Sequence, residues 1–115
     1  ERAIQDYDQA IKLNPEDATA YNNRGNRYVA LGQHERAIQD YDQAIKLIPE
    51  DVSPYYNKAC SYALQGNVEN SIFWLHQGLI RKVEFCCELA KQDRDFDLIR
   101  NKVEFQELLA KYCTN

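Results

Sequence analysis

The side chains with chemistry to offer in this 115-residue chain are four cysteines, two histidines and a short run of alternating acids. Cys60, Cys86, Cys87 and Cys113 contain no C-x-x-C pair, and His34 and His76 stand alone. Zinc sites draw on paired ligands at short spacing, so neither a metal site nor a cofactor site is expected. A bridge between adjacent Cys86 and Cys87 would be strained, which leads to the expectation of reduced thiols in a cytoplasmic protein. Ser71 and His76 share a helical stretch. Five positions place them roughly 140° apart around its axis, too far for a nucleophile and its base. Asp93, Asp95 and Asp97 alternate as calcium ligands do. The glycine and the distal bidentate glutamate of such a loop are missing, so a solvated helix start is expected there. Nothing in this inventory assembles a catalytic group, and no enzyme is expected.

The elements that hold these residues follow from composition and period. The chain carries 14 basic and 18 acidic residues, net −4, with 44% hydrophobic residues, as one ordinary folded domain does. Its excess of acid disfavours unaided nucleic-acid binding, which needs a basic stripe. No apolar run approaches the roughly 18 residues of a membrane span. With 4 glycines and 3 prolines there are few breaks, so long helices are expected over many short strands. The chain holds no methionine and opens in mid-pattern, as the tail of a longer array would.

The breaks repeat. Pro15 and Pro49 lie 34 positions apart, as do Gly32 and Gly66, and residues 1–17 match residues 35–51 except for Asn14 against Ile48. A weaker third copy starts at Glu69. Within each copy the apolar residues recur every three or four positions: Ala37, Ile38, Tyr41, Ala44, Ile45 and Ile48 on one helix, Tyr21, Gly25, Tyr28 and Leu31 on the one before. Each unit reads as a helical hairpin with its inner turn at Gly32 or Gly66, and with Pro-Glu-Asp between units.

The central unit, Tyr21-x-x-Arg24-Gly25-x-x-Tyr28, Ala37-x-x-x-Tyr41 and Pro49, resembles the tetratricopeptide repeat. The first unit matches with Ala3, Tyr7 and Pro15; the third departs, with Ser71 and Gly78 for the usual alanines and Val83 for the proline. The resemblance implies an all-α, right-handed superhelical array of antiparallel helical hairpins. Its expected parts are the second helix of a truncated repeat (1–17), a complete repeat (18–51), a divergent one (52–83) and a capping segment (84–115). Without proline at Val83 the last repeat helix is expected to run on or bend. The capping segment resembles the closing segment of many bacterial members of the family, and Phe96, Leu98, Ile99, Phe105, Leu108 and Leu109 are its expected covering face.

Arg24 and Lys58 stand where the family pattern is apolar. Arg24 is expected to pair with Asp40 or Asp6, and Lys58 to bury its stem and snorkel. On that reading, Arg24→Leu is expected to be tolerated and Asp40→Leu to be costly.

The resemblance further implies noncatalytic protein binding in a concave groove lined by first helices. The groove residues are Thr19, Asn22, Asn23, Asn26 and Val29, then Ser53, Tyr56, Asn57, Cys60 and Leu64, and the ligand would be a peptide or helix. Members that clamp acidic chaperone tails place cations beside asparagines. Asn22 and Ser53 occupy those cation places here, which disfavours such a ligand. The alternative is self-association through an open end at Ile4, Tyr7 and Ile11. An apolar strip of roughly 300 Å² gives about 7 kcal/mol gross against an association cost of about 4–15, predicting weak homodimers.

Overall fold

The computed structural model describes residues 1–113. Seven α-helices lie among them: α1 (Arg2–Leu13), α2 (Ala18–Ala30), α3 (His34–Leu47), α4 (Val52–Leu64), α5 (Val68–Arg81), α6 (Val83–Gln92) and α7 (Val103–Tyr112). A 3-10 turn, Arg94–Phe96, precedes α7, and no strand occurs among the described residues. The chain divides within α4 into two compact units, Glu1–Pro54 and Tyr55–Asn115.

The repeat is visible in the backbone. Gly32 and Gly66 take φ of 75° and 73°, a left-handed turn that costs glycine nothing. Around them Gln33 N–H donates to the Tyr28 carbonyl at 2.8 Å and Asn67 N–H to that of Tyr62 at 2.9 Å, closing α2 and α4 alike. Asn14 (φ −143°, ψ 92°) and Ile48 (φ −137°, ψ 84°) are extended, as residues before proline must be. Asp17 then caps α2 by accepting from Ala20 N–H at 3.1 Å.

Lys82 repeats that extended conformation (φ −146°, ψ 87°) although Val83 follows it. The expected run-on of the last repeat helix is therefore corrected: α5 stops at Arg81 and α6 starts at Val83, with Lys82 alone between them. Packing takes the place of proline. Cys86, Cys87 and Ala90 of α6 are buried, and a helix continuing straight from α5 could not fold them back against it.

In the first unit α2 packs on both α1 and α3, with Gly25 buried under Tyr41. In the second, α5 packs on α6 and α7 around Leu75, Leu79, Phe96, Ile99 and Phe105, all fully buried. Of the expected covering face, Phe96, Ile99 and Phe105 are buried and Leu108 and Leu109 half-buried. Leu98 is 67% exposed, a correction. The turn through residues 94–101 sends Phe96 and Ile99 inward, three positions apart, and Leu98 between them outward.

A disulfide joins Cys87 to Cys113, with Cα atoms 5.5 Å apart, and ties the end of α7 to α6. This corrects the expectation of two reduced neighbours. Cys87 finds a distant partner in sequence, and of the two neighbours Cys86 keeps its thiol, whose pKa burial pushes up to about 11.

Candidate functional site

Thr19, Asn22, Asn26 and Val29 recur at spacings of three and four, which puts them along one side of α2. Thr19 and Asn26 are exposed; Asn22, Asn23 and Val29 are half-buried. The Asn26 carboxamide is oriented from below, since its Oδ1 accepts from the Tyr41 hydroxyl at 2.6 Å. That bond turns the amide so that its NH₂ is the group offered to a ligand.

Arg24, two positions earlier and so roughly 200° around the helix, faces the other way. Its Nε and Nη2 donate to the two carboxylate oxygens of Asp40 at 2.8 and 2.7 Å, and its Nη1 donates to Asp8 at 2.9 Å. The expected Asp40 partner is present, while the α1 partner is Asp8 and not Asp6. These bonds, Asp40 first, raise the guanidinium's already high pKa. The guanidinium thus links three helices and is spent on the fold.

The remaining candidates sit on α4. Ser53 and Asn57 are half-buried and Leu64 is 36% exposed. Tyr56 and Cys60 are only 4% and 6% exposed, which corrects their assignment to an open groove. The closing segment covers both. The Tyr56 hydroxyl donates to Asp93 Oδ2 at 2.8 Å, its ring meets Phe96 edge-on at 5.8 Å, and the Cys60 thiol points at the same Asp93 oxygen at 3.7 Å.

Cys60, Asp93 and Asp95 bring one thiol and two carboxylates within 4.8 Å of one another, a grouping that sequence spacing did not reveal. Two of the three, Cys60 and Asp93, are engaged within the fold. Asp93 accepts from Tyr56, from Cys60 and from the Asp95 backbone N–H at 3.0 Å. Burial, then the Asp93 charge, holds the Cys60 thiol protonated. Burial, then Asp93 and Asp97, raises the Asp95 carboxyl above its usual range. The cluster fastens the closing segment to α4.

Ser71 and His76 also have structural partners. Ser71 Oγ donates to the Ala59 carbonyl at 2.8 Å, and His76 Nε2 lies 2.7 Å from the Tyr112 hydroxyl. Lys58 does not snorkel: it is 3% exposed, with Nζ 3.4 Å from the centre of the Trp74 ring. Sequence reasoning missed that pair. A signal for it lay in the 34-residue offset, which carries Arg24 and Asp40 onto Lys58 and Trp74.

Ile4, Tyr7 and Ile11 are half-buried on α1, a helix with no fully buried residue, and Leu13 beside them is 76% exposed. Depressions of about 340 Å³ beside residues 32–36 and about 450 Å³ beside Arg81–Phe85 hold none of the candidate residues. The α2 candidates lie along one helix face. No described helix is long and apolar enough to cross a membrane.

Helical hairpins repeating every 34 residues, with glycine turns and a small residue at each helix crossing, define a class of helical repeat protein. The model of the TPR repeat matches residues 1–26 and 25–66, and the chain belongs to the tetratricopeptide repeat family. A search of curated proteins found no match. Among solved structures, the chain is similar to the crystal structure of MamA, with 26% identity and a TM-score of 0.66. The match covers 71% of this chain and 48% of MamA, so this chain spans about half of that one. Family membership makes it, in general terms, a protein–protein interaction module.

Proposed function

We propose that the exposed face of α2 binds an extended peptide segment of a protein partner, without catalysis. The observation that carries this reading is the exposed Asn26 carboxamide, fixed by Tyr41 and flanked along the helix by Thr19, Asn22 and Val29. A fixed amide donor is suited to a backbone carbonyl, because little rotamer entropy is left to lose on binding. Val29 adds apolar contact, and the absence of charge on these four side chains favours a ligand read by its backbone over an acidic tail.

A photoreactive residue placed at Thr19 should cross-link a peptide-bearing partner, and Asn26→Ala should weaken that partner's binding about tenfold in calorimetry. Cross-linking that survives while Asn26→Ala leaves the affinity unchanged would falsify the proposal. The Cys87–Cys113 bridge weighs against the cytoplasmic placement expected from the cysteine pattern, since structural disulfides persist in oxidising compartments.

A further inference from the structure

Cys60 on α4 and Asp93 and Asp95 in the closing segment bring one sulfur and two carboxylate oxygens within 4.8 Å of one another. Acids alone would make a solvated loop, and the thiol sets this group apart. Cys60 is only 6% exposed, and among the described residues its thiol has no partner outside Tyr56, Asp93 and Asp95. Its sulfur stands 3.7 Å from Asp93 Oδ2. A tetrahedral zinc ion with sulfur at about 2.3 Å and oxygen at about 2.1 Å sets the two roughly 3.6 Å apart. The spacing that leaves a long S–H···O contact is thus that of one edge of a zinc tetrahedron.

The carboxylates also lack a cation. Asp93 is held by neutral donors: the Tyr56 hydroxyl at 2.8 Å, the Cys60 thiol and the Asp95 backbone N–H at 3.0 Å. The half-buried Asp95 carboxylate makes no hydrogen bond or ion pair among the described residues. Arg100 is spent elsewhere, on Asp97 and on the carbonyls of Ala90, Lys91 and Asp93. Two carboxylates are therefore drawn together beside a thiol, an arrangement that their like charges oppose.

We infer that Cys60, Asp93 and Asp95 form a site for one divalent transition-metal ion of the zinc class, with water as the fourth ligand. A thiolate beside two carboxylates suits zinc or cobalt(II) and disfavours magnesium and calcium, which take oxygen ligands. On binding, a sulfur–metal bond replaces the S–H bond and the proton passes to solvent. Tyr56 stays outside the coordination sphere, where its hydroxyl, bonded to Asp93 Oδ2, fixes the orientation of that ligand. A depression of about 180 Å³ lined by Glu88, Leu89, Gln92 and Asp93 gives an entry path with a further carboxylate beside it. The ion would strengthen the fastening of the closing segment to α4. The site is separate from the α2 face proposed above, and its test does not depend on that reading.

The probes are zinc and cobalt(II), each added alone to the full chain with its disulfide intact. Calorimetry should show one ion bound per chain, with about one proton released per ion when buffers of different ionisation enthalpy are compared. Cobalt(II) should give a thiolate-to-metal charge-transfer band that Cys60→Ser abolishes and that Cys86→Ala, at the other free thiol, leaves in place. Asp95→Asn removes a like charge and breaks no hydrogen bond of the side chain, so the variant should fold and yet bind zinc at least about tenfold more weakly. Tyr56→Phe, which frees the Asp93 carboxylate to turn, should weaken zinc about tenfold. The inference is overturned if zinc does not bind, if the cobalt band survives in Cys60→Ser, or if Asp95→Asn binds zinc as tightly as the unchanged chain. It is also overturned if calcium or magnesium displaces zinc at equal concentration, which would assign the acids to a site made of oxygen alone.

Discussion

The Arg24 side chain is 20% exposed and that of Asp40 only 7%, and this difference decides which half of the pair the fold can spare. Without Arg24, a nearly buried carboxylate is left with no counter-charge. Without Asp40, the guanidinium keeps Asp8, an open carboxylate at 2.9 Å, and reaches water. Arg24→Leu should therefore cost about 3–5 kcal/mol and Asp40→Leu only about 1–2. Urea unfolding of both variants with the double variant checks this, and a smaller loss for Arg24→Leu would reverse the assignment. The order is the opposite of that expected from sequence, because Asp40 and not Arg24 is the more deeply buried member. A sequence shows that an ion pair is compatible with a helix crossing; which partner keeps access to solvent depends on how deeply each helix is covered.

At the scale of helices, the two hairpins share a backbone and differ in how they fill the crossing. In the first, Gly25 admits Tyr41; the equivalent positions in the second hold Ala59 and Leu75, both fully buried. Arg24 with Asp40 becomes Lys58 with Trp74, so a carboxylate is exchanged for the face of an indole. The pairs change together, one residue growing as its neighbour shrinks. Gly25→Ala alone should cost about 2 kcal/mol, because overpacking against the buried tyrosine outweighs the gain in helix propensity of about 1. Adding Tyr41→Leu should recover part of that loss, and thermal melts of the single and double variants measure the coupling. Strictly additive losses would show that the two positions do not share one space.

The helices, their turns and the repeat were legible because proline, glycine and apolar period act locally. The break at Lys82 was not, since no local residue demands it and only the burial of Cys86, Cys87 and Ala90 explains it. The candidate site divides in the same way. The α2 face could be read from helical spacing, whereas the loss of Tyr56 and Cys60 to the closing segment came from Asp93 and Phe96, more than 30 positions away.

Across the whole chain, the two units are secured by different chemistry. The first relies on the Arg24 bridge and on the glycine crossing, and holds 6 basic against 10 acidic residues in positions 1–51. The second has aromatic packing, the Asp93 fastening and a disulfide spanning 26 positions. Closing a loop of that length restricts the unfolded chain by about 3.5 kcal/mol in the chain-entropy description. Reduction should therefore lower amide-exchange protection in α6 and α7 by up to that amount while leaving α2 and α3 as they were. Equal loss in both units would mean that they unfold as one. The buried Cys86 thiol, with its pKa pushed up to about 11, has little thiolate with which to attack the neighbouring bridge, so the pairing should not shuffle.

The identity of α1 and α3 also bears on how the chain reaches this structure. While it folds, α2 is flanked by two helices of the same sequence, and each offers the aspartate and tyrosine that receive its arginine and glycine. Side-chain affinity alone cannot choose between them. The choice falls to the connections: Leu31-Gly32-Gln33, with its left-handed glycine, returns α3 to the glycine side of α2, whereas Asn14-Pro15-Glu16-Asp17 delivers α1 to another side. In this chain the correct pairing of two interchangeable helices is written in the turns, and a change at Gly32 would blur their order before it weakened any contact.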